Sequence, residues 1–343
     1  MSASPAQHPL WHDAVQWQSY GRQASLPTSA DVVIIGGGYT GLWTALWLSE
    51  LAPELDVVVL EAEHIGFGAS SRNGGWASAL LPMSMNRVAA LAGGNRAAAV
   101  GAAHTMRTMV AELGQKAADL GIDCDYRQAG TFLAARSEVH EQRARADVDQ
   151  ARAWDDDSLQ WLPAMSAARF AAMDQLQGGT FNPHCASIQP AKLVTGLARA
   201  AVERGVSIFE QVRVSSHADG VVITDRGSIG ARVVVRATEG YTGSLAQHRR
   251  QFVPVYSLML ATEPLPDAVL AAIALPEGLT FADYRHVIIY GQRTADNRIA
   301  FGGRGAPYHF GSATHARFEQ LPAVHRALHR MLLEMFPQLA GVR

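Results

Sequence analysis

The chain is poor in cysteine, poor in charge and without long apolar runs, and each scarcity closes off a class of protein. Its two cysteines, Cys124 and Cys185, are too few for a disulfide framework or a zinc ligand set, so a reducing, cytoplasmic setting is expected. Charged residues make up 17% and the formal net charge is −2. Nothing therefore draws the chain to nucleic acid or to an anionic membrane. The opening MSASPAQHPLW has no basic start and no apolar core, which excludes a signal peptide in this stretch. The most apolar stretch, residues 32–48, is too short and too Gly-broken for a membrane span. There is no internal repeat, no low-complexity tract and no metal spacing among the scattered histidines.

What is present suits a globular enzyme. The 343 residues, 48% of them apolar, can build two packed units. A polar arm with two tryptophans, Trp11 and Trp17, comes first. Residues 32–35 form a short β-branched run broken by three glycines, and a helix is predicted over 42–51. A second β-branched strand spans 57–60 and ends at Glu61. A Gly- and Ser-rich loop follows over 66–76. Helices are predicted over 97–120, 190–204 and 323–336. Pro190 fits the first helical turn and Gly205 the stop. Strands are predicted over 130–134, 206–210, 220–224, 232–237 and 253–262. A hairpin, 286–292 with 298–302, turns at 295–297.

The fold class predicted is α/β, α+β overall: a Rossmann-like nucleotide-binding domain with a parallel sheet, joined to an antiparallel-sheet substrate domain. The boundaries predicted are 1–27 for the arm and 28–85 with 186–250 for the discontinuous nucleotide-binding unit. Residues 86–185 and 251–343 make the substrate domain and closing helix.

One motif carries the chemistry. Gly36, Gly38 and Gly41 follow a strand and open a helix, and Glu61 ends the next strand, close to the spacing of a dinucleotide fingerprint. Gly36 permits the tight turn, Gly38 lets backbone approach a pyrophosphate, and Gly41 lets helix and strand pack closely. The helix N-terminus, with Tyr39 and Thr40 in its first turn, offers N–H groups to phosphate. Glu61 can accept from both ribose hydroxyls. The motif alone leaves FAD and NAD open, since each carries an ADP half.

The wider sequence separates them. The block DVVIIGGGYTGLWTALWL…VVVLEAEHIGFGASSRNGGW resembles the D-amino-acid-oxidase-like FAD-dependent oxidoreductases, and among them the bacterial γ-glutamylputrescine-oxidase-like members. The resemblance implies FAD as cofactor. It implies that Ser70, Ser71, Arg72, Asn73, Gly74 and Gly75 line the diphosphate and isoalloxazine. It further implies that Val214 holds the adenine through its backbone, and that Thr238 and Gly240 lie in the turn closing the FAD domain. Members of this family oxidise a C–N bond of an amine or amino acid by hydride transfer to flavin N5, with oxygen or a quinone as acceptor. Members also continue well beyond the helix at 323–336, so this chain is expected to be C-terminally incomplete.

The catalytic candidates each carry two readings. Arg72 and Asn73 either face the flavin or shape their own loop. Tyr256 and Tyr290, expected on strands of the substrate sheet, either line the pocket or belong to the core. Arg304 either holds a substrate carboxylate bidentately or is a solvated loop residue; His309 shares its loop. His184 and Cys185 match no covalent-flavin motif and read as structural. Beside the amine or amino-acid oxidoreductase stand two alternatives, a catalytically incomplete flavin-binding fragment and a NAD-linked dehydrogenase. The RNGG loop and the antiparallel middle region argue against the last.

Overall fold

The computed structural model describes residues 9–342. The start of the arm, with Pro5, and Arg343 lie outside these residues. The chain opens its regular structure with β1 (Ser29–Ile35), α1 (Tyr39–Leu51) and β2 (Val57–Leu60). Then follow β3 (Trp76–Ser78), α2 (Met85–Leu91), α3 (Arg96–Asp119), β4 (Thr131–Ala135), α4 (Glu138–Arg152), β5 (Gln160–Pro163), α5 (Ala164–Ala167) and β6 (Gly178–Asn182). Next are β7 (Cys185–Ser187), α6 (Pro190–Val202), β8 (Ser207–Phe209), β9 (Val214–Ala218), β10 (Val221–Thr224) and β11 (Gly227–Arg236). The last elements are β12 (Leu258–Ala261), α7 (Asp267–Ile273), β13 (Thr280–Asp283), β14 (Ile289–Arg293), β15 (Ile299–Gly303) and α8 (Pro322–Met335).

Two large sheets result. The first has the order β8-β2-β1-β11-β10-β9. Its centre is parallel: Val32 stands opposite Val57 on one side and Val233 on the other. β1 and β2 are buried on both faces, which is why they read as unbroken β-branched runs. α1 and α6 pack on one face through Ile34, Leu42, Leu46, Leu193, Val194 and Leu197. The expected parallel sheet is present in β8, β2, β1 and β11, and an antiparallel edge extends it. β10 and β9 run antiparallel to their neighbours, because short turns join β9, β10 and β11, and such turns reverse the chain.

The second sheet has the order β12-β15-β14-β13-β4-β6-β5. Its core holds Phe132, Phe281, Phe301 and Phe336, the last contributed by the chain just past α8. β14 and β15 form the expected hairpin, with Asn297 at φ 64° in its turn. The expected antiparallel sheet is present, with one parallel pair inside it. β13 runs parallel to β4, since about 145 residues of intervening chain leave its direction free of any hairpin constraint.

Local boundaries shift too. The strand expected over 253–262 is confined to β12, so Tyr256 lies in the preceding coil rather than on a strand. The loop over 66–76 contains a 3₁₀ turn at Ala69–Ser71, and Trp76 already belongs to β3. Helix α4, which buries little more than Ala144 and Val148, has too narrow an apolar stripe to stand out in sequence. Among the described residues no helix is long and apolar enough to cross a membrane.

Candidate functional site

The site grows from the turn between β1 and α1. Gly36 sits at φ 114°, where a Cβ would overlap the carbonyl of Ala237. Gly41 presses against the Gly36 carbonyl, and no side chain fits between them. Both positions demand glycine for stated contacts, not merely for flexibility. The Gly36 N–H donates to Leu60 O at 2.8 Å, joining the turn to the end of β2. Glu61 follows there. Its Oε2 accepts the Gly37 N–H at 2.8 Å and its Oε1 the Glu63 N–H at 3.0 Å. Burial pushes this carboxyl above its ordinary range, and lone pairs remain on it for further donors.

Ser70 meets the same turn. Its Oγ accepts the Tyr39 N–H at 2.9 Å at the α1 N-terminus. Thr40 is exposed in that first turn, and the Tyr39 hydroxyl donates to Pro190 O at 3.0 Å. Val212 N–H donates to Glu61 O at 2.9 Å, and Val214 follows two residues later at the start of β9. Thr238 follows Ala237 beside Gly36, and its hydroxyl pairs with Thr242. Gly240 lies in the 3₁₀ turn after it.

Beyond Ser70 the loop is built mostly from its own contacts. Asn73 Oδ1 accepts the Gly75 N–H at 2.8 Å, while its Nδ2 donates to the carbonyls of Ala69 and Ser70. The paired glycines serve close packing. A Cβ on Gly74 would lie 2.7 Å from the Tyr290 ring, and one on Gly75 would overlap the Gln292 amide. In the direction a Cβ would take, these two side chains fill the space beside the glycines. Gln292, buried on β14, donates from Nε2 to Gly74 O at 2.7 Å and Gly75 O at 3.2 Å. Thus the second sheet grips the loop of the first.

Arg72 Nη1 pairs with Glu319 Oε2 at 2.8 Å, and its guanidinium lies 5.1 Å from the centre of the Phe67 ring. Phe318, next to Glu319, stacks on His309 with ring centroids 3.4 Å apart, and both approach Tyr256. Tyr290 bonds Ser257 Oγ at 2.8 Å and stands edge-on to Trp76, and burial raises its phenol pKa. Arg304 is exposed, and its positive charge acts on the Tyr290 phenol, opposing the rise caused by burial. The structure therefore joins Arg72, Tyr256 and His309 through residues 318–319, and sets Tyr290 against the loop. Three buried polar atoms here, Arg72 Nε, Trp76 Nε1 and His309 Nε2, have no hydrogen-bond partner, an arrangement that suits a polar ligand. Burial lowers the His184 pKa, and Cys185 is fully buried, accepting from Thr280 Oγ1 at 3.3 Å. Gln292, Glu319, Ser257 and Tyr241, which borders Gly68, escaped sequence reasoning because only their distant partners give them a role.

A glycine turn opening a helix, an acid closing the next strand and a loop gripped by a second sheet suit a dinucleotide-binding protein. The family model described as "FAD dependent oxidoreductase" (DAO) matches residues 31–343, and the chain belongs to that family, whose cofactor is FAD. It is 31% identical to gamma-glutamylputrescine oxidoreductase of Escherichia coli, over 92% of this chain and 72% of that protein. It is 27% identical to a probable oxidoreductase, OrdL, of Haemophilus influenzae, over 92% and 71%. Among solved structures, glycine oxidase from Geobacillus kaustophilus superposes with a TM-score of 0.74 at 19% identity, covering 92% of this chain and 80% of that one. L-proline dehydrogenase from P. horikoshii gives 0.69 at 18%.

Proposed function

We propose that this enzyme oxidises a C–N bond of an amine or amino acid, in a cytoplasmic setting, with oxygen or a quinone as final acceptor. The observation that carries the reading is the bridge made by the loop 70–75. At one end Ser70 bonds the N-terminus of α1 at 2.9 Å, and at the other Gln292 of the second sheet holds Gly74 and Gly75. A cofactor seated on the first sheet and a substrate seated on the second would meet along it. Residues near 28–85 and 186–250 form the cofactor-binding unit in this reading, and the remainder of the body forms the substrate unit.

Bound FAD supplies the acceptor for a hydride leaving the carbon next to nitrogen, at N5 of its ring. The protein's own residues prepare that event. Gly36, Gly38 and Gly41 admit backbone to the diphosphate, and Glu61 accepts the ribose hydroxyls. Val214, Thr238 and Gly240 border the nucleotide. Arg72, whose buried Nε lacks a partner, would offer that N–H to the anionic part of the cofactor. Tyr256, Tyr290, Arg304 and His309 border the substrate side, where Arg304 offers a planar fork to a carboxylate. No proton relay is needed beyond loss of one proton from the substrate ammonium, since the neutral amine is the form whose lone pair assists.

The test is anaerobic. The full chain is loaded with FAD and mixed with a panel of γ-glutamylated diamines, N-methyl amino acids and free amino acids while the visible flavin absorbance is followed. Bleaching by one class identifies the substrate. Stable flavin absorbance with every amine leaves a flavin-binding protein without this activity. Failure to bind FAD at all removes the reading.

A further inference from the structure

The family match begins at residue 31, yet the chain before it is bonded directly to the loop that the proposed function places beside the flavin. The arm makes a 3₁₀ turn at Leu10–His12. Trp11 is buried there between Ala191 of α6 and Ala300 of β15, with Met259 of β12 against it. Its indole N–H donates to Asn73 O at 2.8 Å. Its carbonyl accepts Gln189 Nε2 at 2.7 Å, at the cap of α6. One residue therefore touches the loop, the helix of the first sheet and the strands of the second. The next residue acts on the same loop: His12 Nε2 lies 2.8 Å from the fully buried Ser71 Oγ.

A second tie fixes the start of the loop. Glu210, wholly buried after β8, accepts the Tyr20 N–H at 3.2 Å and Arg22 Nε at 2.9 Å through Oε2. Its Oε1 accepts the Ile65 N–H at 2.8 Å. The arm is thus bonded directly to the loop at Ser71 and Asn73 and tied through Glu210 to Ile65, just before it. A buried carboxylate with three donors is costly to disturb, so this anchor holds the arm's course while Trp11 and His12 set the loop.

We propose that Trp11 and His12 are positioning residues of the cofactor site, holding the loop 70–75 in its flavin-binding shape through Asn73 and Ser71. The proposal rests on the reading of that loop as the flavin-side wall. It extends the site to a segment outside the family-matched residues.

The test compares Trp11→Phe, which keeps an aromatic ring but removes the N–H, and His12→Phe, which keeps the contacts with the Trp17 and His64 rings. Glu61→Gln serves as comparator. FAD dissociation constants, the visible spectrum of bound flavin and apoprotein melting temperatures are measured for the full chain. Each arm variant is expected to weaken FAD about three- to tenfold, the size of one lost hydrogen bond, and to shift the flavin bands. Apoprotein melting should fall by no more than a few degrees, the cost of one hydrogen bond. His12→Gln, which restores a polar group, should recover part of the affinity. If Glu61→Gln weakens FAD while both arm variants bind it with wild-type affinity and spectrum, the arm proposal alone is overturned. If none of the three alters FAD binding, it falls together with the assignment of the site. A lower melting temperature with unchanged FAD binding makes the arm merely structural and also overturns it. Should Trp11→Phe not fold, His12→Phe decides the matter by the same readings.

Discussion

The Glu61 carboxylate accepts the Gly37 backbone N–H at 2.8 Å, so the acid and the glycine turn of the fingerprint are bonded to each other within the protein. Burial raises the folded-state pKa of Glu61 above its ordinary value. The sign for the apoprotein follows. The stability linked to this group is full below the ordinary glutamate pKa and is lost as pH rises through the raised folded value. Cofactor binding has the opposite sign, because the ionised carboxylate is the better acceptor for ribose hydroxyls. FAD affinity of the wild type should therefore weaken as pH falls through the raised Glu61 value. Glu61→Gln should bind FAD roughly tenfold or more weakly at neutral pH and show a flatter profile. Parallel profiles for the two proteins, measured by flavin fluorescence titration, would contradict this role.

This part of the site was legible in sequence because its parts are local and forced. Gly36 and Gly41 have no alternative residue once the Ala237 and Gly36 carbonyls press on them, and Glu61 lies on the adjacent strand. The grip of Gln292 was not legible, since it spans 218 residues to Gly74. Nor was the role of Trp11, whose carbonyl meets a side chain 178 residues away. A tyrosine with strand-like neighbours gave no warning that Tyr256 would fall in coil while Tyr290 fell on β14. Chain direction in the second sheet was equally hidden, because only packing sets β13 parallel to β4.

Two glycines in helices should respond oppositely to alanine. At Gly41 a Cβ would overlap the Gly36 carbonyl, and Ile34 Cγ2 would lie only 3.2 Å away. Helix and strand must separate, at a cost of about 2–3 kcal/mol, and FAD affinity should fall with stability. At Gly101, inside α3, nothing lies within 4 Å of an added Cβ. Gly101→Ala should gain about 0.5–1 kcal/mol by restricting the unfolded chain and leave FAD binding unchanged. Denaturant melts of both variants check the contrast; destabilisation by Gly101→Ala or tolerance of Gly41→Ala would refute it.

Gln292 should matter to both stability and cofactor. Its amide is buried, and it is a donor to two carbonyls of the loop. Gln292→Ala leaves Gly74 O without that donor and opens space under Gly75, for a loss of about 1–3 kcal/mol. Gln292→Glu keeps the shape but turns an acceptor toward the same carbonyls, so it should be at least as damaging near neutral pH. Each variant should bind FAD more weakly than wild type. Wild-type melting and FAD affinity in Gln292→Glu would show that the loop does not depend on this grip.

Arg72 and Glu319 provide the sharpest separation of cofactor effects from folding effects. Their side chains are 22% and 36% exposed and 2.8 Å apart. An ion pair so open to water contributes about 0–1 kcal/mol, so Glu319→Gln should hardly change melting. It does remove a negative charge that competes for the guanidinium. If Arg72 serves the anionic part of FAD, Glu319→Gln should bind FAD as tightly as wild type or more tightly. Arg72→Ala should then bind it about tenfold or more weakly, as expected for a lost charge-assisted bond. Arg72→Lys keeps the charge without the planar fork and should fall between them. The double variant should resemble Arg72→Ala, because removing Glu319 has nothing left to release. A different pattern marks a structural arginine: Arg72→Ala and Glu319→Gln each lower the melting temperature by the same few degrees, the double variant adds nothing, and the FAD dissociation constant stays constant throughout. That result would take Arg72 out of the cofactor site and leave its buried Nε to be explained by the loop alone.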